Sequence, residues 1–339
     1  MATMTTGTLE SRAKKGDVEA QFELGRWYDE AQDNPKAARA WFATAAKAGS
    51  LCALRALAIN LLTREPFESE AGVNMMRAAA DRGDAEAALI CANIAAYDRN
   101  LPDRWNVAQE CLRIAAERGS SLAREQLEFL EIAKPDFADL MRPQRPIFDA
   151  PRIAVIEGCA SHAECDWLIA RARPELLPAR VYDPLRGGSA VSLTRTNSSV
   201  GFDVAQSDIV FALLRARIEA IAGVSYLEMS AVLHYLPGQE FKPHFDFLDP
   251  DKPGYTDDIQ KRGQRVATFL VYLNEDYEGG ETDFPRLGWR YKGRKGDALL
   301  FWNINPAGEM DQKTFHAGLP TTTGEKWLFS QWLRQPIGT

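Results

Sequence analysis

Histidine is scarce in this chain, with four side chains in 339 residues. Any metal centre or acid–base pair built on imidazole must therefore draw on a handful of positions. Cysteine is hardly commoner. Cys52, Cys91, Cys111, Cys159 and Cys165 are scattered, odd in number and free of any Cys-x-x-Cys pair. That pattern argues against a disulfide framework and against a cysteine zinc site. A basic surplus is also missing, since 40 Lys+Arg stand against 47 Asp+Glu for a net charge of −7. No nucleic acid partner and no membrane partner is expected on that balance. No apolar run approaches the roughly 20 residues needed to span a bilayer. The opening residues, Met1 to Thr8, lack a basic region followed by an apolar core, so no secretory leader is expected and the cytoplasm is the expected setting. What remains is an ordinary globular composition, 45% apolar and 26% charged, in a chain long enough for two domains.

One pattern recurs through the first third. Gly16-Asp17-Val18-Glu19-Ala20 is followed by Gly49-Ser50-Leu51-Cys52-Ala53, Gly83-Asp84-Ala85-Glu86-Ala87 and Gly119-Ser120-Ser121-Leu122-Ala123, at spacings of 33, 34 and 36. Alanine pairs precede three of these glycines, at Ala45-Ala46, Ala79-Ala80 and Ala115-Ala116. A period near 34 signals stacked helical hairpins. Glycine ends one helix in a left-handed cap, and small alanines let helices approach closely. Phe22, Leu24, Trp27, Trp41 and Phe42 are expected to fill the layer between hairpins. This stretch resembles Sel1-like repeats, relatives of the tetratricopeptide class. The resemblance implies a solenoid whose surface receives a partner protein. The alternative is a helical brace for the catalytic domain that binds nothing else.

The repeat is expected to occupy residues 1–133. Pro135, Pro143 and Pro146 then mark a Pro-rich linker over 134–150, and a second domain fills 151–339. In that domain Arg152–Ile156 reads as a buried strand. Ser161 and Glu164 form a capping box for a helix over 161–173. Gly187-Gly188 marks a turn, and Arg195–Ser199 reads as a polar loop. Residues 206–222 form an amphipathic helix stopped by Gly223. Short strands follow at 226–236, 240–247, 265–273, 281–284, 297–302, 313–317 and 326–334, the texture of a sandwich or jelly roll. The polar segment 248–263 reads as a lid.

His244-Phe245-Asp246 carries the chemistry. In a strand, side chains at i and i+2 share a face, so an imidazole and a carboxylate can meet at one point. A distant histidine would complete a 2-His-1-carboxylate triad, which leaves positions open on a non-haem Fe(II). Of the other histidines, His162 falls in the first turn of a helix and His234 faces the opposite side of its strand. That leaves His316.

At this point the second half resembles the prolyl 4-hydroxylase branch of the Fe(II)/2-oxoglutarate-dependent dioxygenases. The matching residues run in the family's order: Tyr235-x-x-Gly238-Gln239, His244-x-Asp246, Gln264-Arg265-x-x-Thr268, Tyr272-Leu273-Asn274, Gly279-Gly280-Glu281-Thr282-x-Phe284-Pro285, Gly296 through Trp302, His316-Ala317-Gly318-x-Pro320, Gly324-Glu325-Lys326-Trp327 and Trp332. The resemblance implies a double-stranded β-helix over about 150–335, with flanking helices. It implies that His244, Asp246 and His316 hold Fe(II), that Lys326 pairs with the far carboxylate of 2-oxoglutarate, and that Tyr235 bonds the same end. O2 is the second co-substrate, and the family leaves room for ascorbate. Glu228, Arg265 and Trp332 fall where relatives contact or shape the peptide groove. Each has a plainer alternative: Glu228 and Arg265 as a structural ion pair, Trp332 as core. Arg334 stands where some relatives carry histidine.

The expected architecture is therefore a multidomain α + β protein, an N-terminal helical solenoid followed by a jelly roll. The expected activity is hydroxylation of prolyl residues in a protein or peptide held by the repeats. Two rivals stay open: the same chemistry on another side chain or a free small molecule, and a binding scaffold with a silent oxygenase domain.

Overall fold

The computed structural model of the chain describes residues 6–183, 188–191, 194–252 and 254–335. They form two compact units, one of Met1–Pro135 with Asp203–Ala212, the other of Asp136–Phe202 with Leu213–Thr339. Gly187 of the expected turn and the first five residues lie outside the described residues.

The first unit is a helical solenoid. Its helices are α1 (Thr6–Lys14), α2 (Val18–Glu30), α3 (Pro35–Lys47), α4 (Leu51–Thr63), α5 (Ser69–Asp81), α6 (Ala85–Tyr97), α7 (Arg104–Glu117) and α8 (Ser121–Ala133). Each packs against its neighbour in sequence. The repeated motif has a three-part physical basis. Gly16, Gly49, Gly83 and Gly119 all stand at positive φ, from 89° to 104°, and so stop a helix where other residues would be strained. The next residue, Asp17, Ser50, Asp84 or Ser120, is the N-cap of the following helix, and its side chain accepts the amide of Ala20, Ala53, Ala87 or Ala123. Those four alanines are at most 1% exposed. The first alanine of each pair, Ala45, Ala79 and Ala115, is likewise fully buried. Leu24 and Phe42 fill the layers, with Phe22, Trp27 and Trp41 packed around them.

Close approach is also visible at Gly25 in α2. A Cβ there would lie 2.5 Å from the ring of Phe42, itself buried in α3. Gly25→Val is expected to destabilise the helical unit by about 1–3 kcal/mol through overpacking. A lowered thermal midpoint by circular dichroism at 222 nm would record it, and an unchanged midpoint would place Phe42 in a looser layer.

After the repeats come β1 (Arg145–Asp149), β2 (Arg152–Ile156), α9 (His162–Ala172), β3 (Leu177–Pro178), β4 (Arg180–Asp183), β5 (Gly188–Val191), β6 (Ser198–Phe202) and α10 (Ile209–Ala222). They are followed by β7 (Tyr226–Leu227), β8 (Ser230–Tyr235), β9 (Phe241–His244), α11 (Tyr255–Arg262), β10 (Gln264–Tyr272), β11 (Glu278–Gly279) and β12 (Thr282–Phe284). The last are β13 (Trp289–Tyr291), β14 (Ala298–Trp302), β15 (His316–Gly318), β16 (Thr321–Thr323) and β17 (Lys326–Gln335).

The large sheet runs β1-β2-β14-β10-β17-β8-β6-β3, with β7 also on β17, and the small one runs β13-β12-β15-β9. Every pairing in both is antiparallel. One apolar cluster joins them. Val155, Leu233, Tyr235, Leu270, Tyr272, Leu299, Phe301 and Leu328 of the large sheet meet Phe284 of the small one, with Phe241, Trp289 and Tyr291 packed alongside. This is the two-sheet jelly roll of a double-stranded β-helix.

Several segments differ from the sequence reading. Residues 145–149 of the expected linker form edge strand β1, where Pro146 is tolerated because only one side of an edge strand is paired. The polar loop at 195–199 runs straight into β6. The segment 248–263 contains helix α11 between Gly254 and Gly263, both at positive φ.

Candidate active site

The small sheet brings two of the three histidine and carboxylate ligand candidates together by register. His316 opens β15 and sits directly opposite His244 at the end of β9. Cross-strand partners share a face, so two residues 72 positions apart in the chain (316 minus 244) present their rings to one another, with centroids 4.4 Å apart. Strand β9 stops at His244, and Asp246 lies just beyond it. Asp246 Oδ1 is 3.5 Å from His244 Nε2, and Oδ2 is 3.5 Å from His316 Nε2. One ligand atom from each lies within 4.8 Å of the others.

Hydrogen bonds fix which nitrogens face this point. His244 Nδ1 lies 2.8 Å from Lys242 O, and His316 Nδ1 lies 2.9 Å from Thr314 O. A carbonyl only accepts, so each Nδ1 carries the proton and each Nε2 keeps its lone pair for a metal. Burial, reinforced by the neighbouring His244, pushes the His316 imidazole down to about 4. Burial works to raise the Asp246 carboxyl, yet His316, His244 and the Thr268 hydroxyl together hold it well below its ordinary value. Near neutral pH His316 is thus a neutral donor and Asp246 a carboxylate, and the Nε2 atoms of His244 and His316 face the same point. That donor chemistry fits Fe(II) with further positions left open.

Behind Asp246 stands a relay that sequence reading gave no role. Thr268 Oγ1 donates to Asp246 Oδ2 at 2.7 Å, and Asn303 Nδ2 donates to Thr268 Oγ1 at 3.1 Å, all three residues being buried. Thr268→Val keeps the shape and removes the hydroxyl. It is expected to weaken metal affinity by about 10–100-fold, the usual cost of losing an outer-shell partner. Titration with Mn(II) followed by electron paramagnetic resonance would measure it, and wild-type affinity would remove Thr268 from the ligand support.

A cavity of about 240 Å³ adjoins the triad. Among its lining residues are His244, Asp246, His316, Tyr235, Lys326, Thr282, Leu233, Leu270 and Leu328. Tyr235 and Lys326 are direct cross-strand partners on β8 and β17, which explains why both reach the same end. Lys326 is wholly buried, and its Nζ donates to Gly280 O at 2.6 Å. Among the described residues no carboxylate comes within ion-pair range of it. Burial pushes the Lys326 ammonium down to about 7, with Glu281 a partial counterweight. A buried cation without a counter-ion is a strong reason to expect an anion in the cavity. Gly280 stands at φ 71°, and a Cβ there would lie 3.2 Å from Lys326 Cδ. Gly280 therefore leaves room for the lysine as well as accepting from it, a role that its place in a motif does not reveal. Burial also raises the Tyr235 hydroxyl, which stays a neutral donor.

The three candidate substrate residues touch one another but do not all reach the cavity. Glu228 and Trp332 line the cavity, and Arg265 does not. Arg265 is committed to Glu228 through Nε at 2.6 Å and Nη2 at 3.0 Å, and its guanidinium lies 3.5 Å from the Trp332 ring centroid. Arg334 adds a third bond to Glu228 at 2.6 Å. Arg195 lines the cavity over Phe241 and donates to Asn197 Oδ1 at 3.1 Å. His234 sits on the other face of β8, stacked on Trp327 and 3.1 Å from Glu325 Oε2. Among the described residues of the segment 248–263, read as a lid, none lines the cavity.

Comparison with known proteins agrees with this geometry. The family model for the 2OG-Fe(II) oxygenase superfamily matches residues 230–334, which hold the triad and Lys326. Prolyl 4-hydroxylase 1 of Arabidopsis thaliana is 36% identical over 204 residues, 55% of this chain and 70% of that protein. The viral collagen prolyl hydroxylase of Paramecium Bursaria Chlorella virus-1, solved with 2OG, is 30% identical with a TM-score of 0.42, covering 54% of this chain and 95% of that one. A Sel1 repeat protein from Oxalobacter formigenes is 22% identical with a TM-score of 0.32, covering 35% of this chain and 94% of that one. With a matching family model over its site and this identity across most of a curated relative, the chain belongs to the 2OG-Fe(II) oxygenase superfamily, among the prolyl 4-hydroxylases.

Proposed function

We propose that the chain is an iron- and 2-oxoglutarate-dependent hydroxylase that acts on prolyl residues of a protein or peptide, and that its repeat unit recruits that protein. The observation that carries the reading is Lys326, a buried ammonium without a counter-ion among the described residues, in the same cavity as a His-Asp-His set. When bound, Fe(II) and 2-oxoglutarate supply the oxidising chemistry, in which O2 gives one atom to the substrate and one to succinate, and CO2 leaves.

The chain's own residues do the rest. His244 Nε2, His316 Nε2 and the Asp246 carboxylate hold the metal. Lys326 and the Tyr235 hydroxyl bind the far carboxylate of the co-substrate, which sets its direction in the cavity. Leu233, Leu270 and Leu328 wall this end with apolar surface and exclude water. Glu228, Arg265 and Trp332 shape the wall met by the peptide, Glu228 and Trp332 directly and Arg265 through both. A reducing, cytoplasmic setting belongs to the reading, supported by five cysteines that all stand as free thiols.

The test is the purified full chain with Fe(II), 2-oxoglutarate, ascorbate as reductant and a panel of proline-containing peptides. Succinate and a peptide heavier by one oxygen at proline are expected. Succinate formation with oxidation at another residue would move the substrate, and no succinate under any condition would remove the activity.

A further inference from the structure

Arg334 is almost wholly buried, at 1% exposure, and the active-site chemistry leaves it without a task. Its guanidinium uses all three nitrogens. Nε donates to Glu228 Oε1 at 2.6 Å, Nη2 to Asp258 Oδ2 at 2.6 Å, and Nη1 to Gly263 O at 2.7 Å. Asp258 lies in α11, and Gly263 is that helix's C-cap. Glu228 lies on the cavity wall. One planar side chain therefore joins a helix outside the cavity to a carboxylate that faces it. Gln264 closes the base of the same segment, accepting from Leu248 N at 2.8 Å and donating to Leu248 O at 2.7 Å.

We propose that Arg334 is a positioning residue that latches α11 onto the peptide wall and cancels the charge of Glu228, so that the wall seats an uncharged residue flanking the target proline and disfavours lysine there. This rests on the peptide-hydroxylase reading above. The charge count supports it. Arg265, Arg334 and Arg262 surround Glu228 and Asp258, three cations to two carboxylates. Both oxygens of Glu228 already accept from guanidinium donors, three bonds against the roughly four lone-pair sites of a carboxylate, so it has little acceptor capacity left for a lysine. The surface beside it is apolar and small: Met229, which is 59% exposed, reaches across Gly201, and both line the cavity. Lysine at position 334 could not reproduce the latch, because a point charge does not reach three acceptors set in a plane.

The test uses the full chain and proline peptides that differ at one flanking position, leucine against lysine. Wild type is expected to favour leucine by about tenfold or more in kcat/KM, like-charge repulsion in a wall being selective against the wrong partner. Arg334→Met lowers the wall by one positive charge and should shrink that preference several-fold. Asp258→Asn raises it by one and should keep or widen the preference. Both variants should increase hydrogen–deuterium exchange in 255–262, a readout that needs no turnover. An unchanged lysine penalty in Arg334→Met, or unchanged exchange in α11 in both variants, overturns the proposal. Absence of succinate from wild type would instead strike the reading beneath it, and the exchange data would still judge the latch. Should Arg334→Met fail to fold, Arg334→Gln and Asp258→Asn carry the same comparison.

Discussion

Lys326→Met is expected to weaken 2-oxoglutarate binding by about two to three orders of magnitude, the scale of removing one partner from a buried charge pair. Metal affinity should stay near wild type, because Lys326 makes no contact with the triad. Calorimetry with Mn(II)-loaded protein would separate the two effects. The substitution should also stabilise the ligand-free chain on the acid side. An unfolded lysine keeps its proton to about 10.5, whereas folded Lys326 gives it up at about 7. Between those values unfolding takes up a proton, so the destabilising contribution is fully present below 7 and fades as pH rises toward 10.5. Methionine removes it, and the gain in thermal midpoint should be largest below pH 7. The co-substrate carboxylate prefers the charged lysine. Its apparent affinity should therefore fall by about tenfold per pH unit above 7 in wild type, one pKa unit being about 1.4 kcal/mol. A flat affinity between pH 7 and 9 would mean that Lys326 does not hold the anion.

How much of this was legible follows from the range of each interaction. The repeat could be read because its unit is local: a left-handed glycine, a cap and a tight alanine fall within five residues, as in Gly16–Ala20. Its capping residue was not recognised, since Asp and Ser alternate there and resist a single-letter pattern. His244 and His316 were legible because the chain has so few histidines, although only the β9–β15 register explains why they meet. Short elements were missed. Strands β13 and β16 have three residues each and α11 has eight, too few for a period to declare itself. The least legible feature was the charge network. Glu228 reaches partners 37 and 106 residues away, and Arg334 reaches Asp258 across 76. The structural ion pair of Glu228 and Arg265, held as the plainer alternative from sequence, is the contact the structure contains. No local pattern announces that Arg334 joins it.

His244→Ala and His316→Ala are both expected to bring succinate formation down to the no-enzyme control, and they should differ in everything else. Each removes one of three donors whose shared point is fixed on every side, so the metal loses a ligand that no neighbour can replace. His244 retains 21% side-chain exposure, and its loss opens onto solvent. His316 is buried against Phe284 and Phe301, with ring centroids 5.7 and 4.7 Å away. Alanine there leaves a void in the cluster that joins the two sheets. It should cost about 2–4 kcal/mol of ligand-free stability, as large-to-small core changes do. A lower midpoint for His316→Ala alone, with metal binding lost in both, would match the geometry. Acid gives the same separation without mutation. The unfolded imidazole takes its proton near 6.5 and folded His316 only near 4. Protein stability should therefore decline as pH falls between those values, and the neutral donor at 316 persists until about pH 4. Retained turnover in either alanine variant would dissolve the triad. Equal midpoints would leave it standing and place His316 in a site less tightly packed than its aromatic neighbours require.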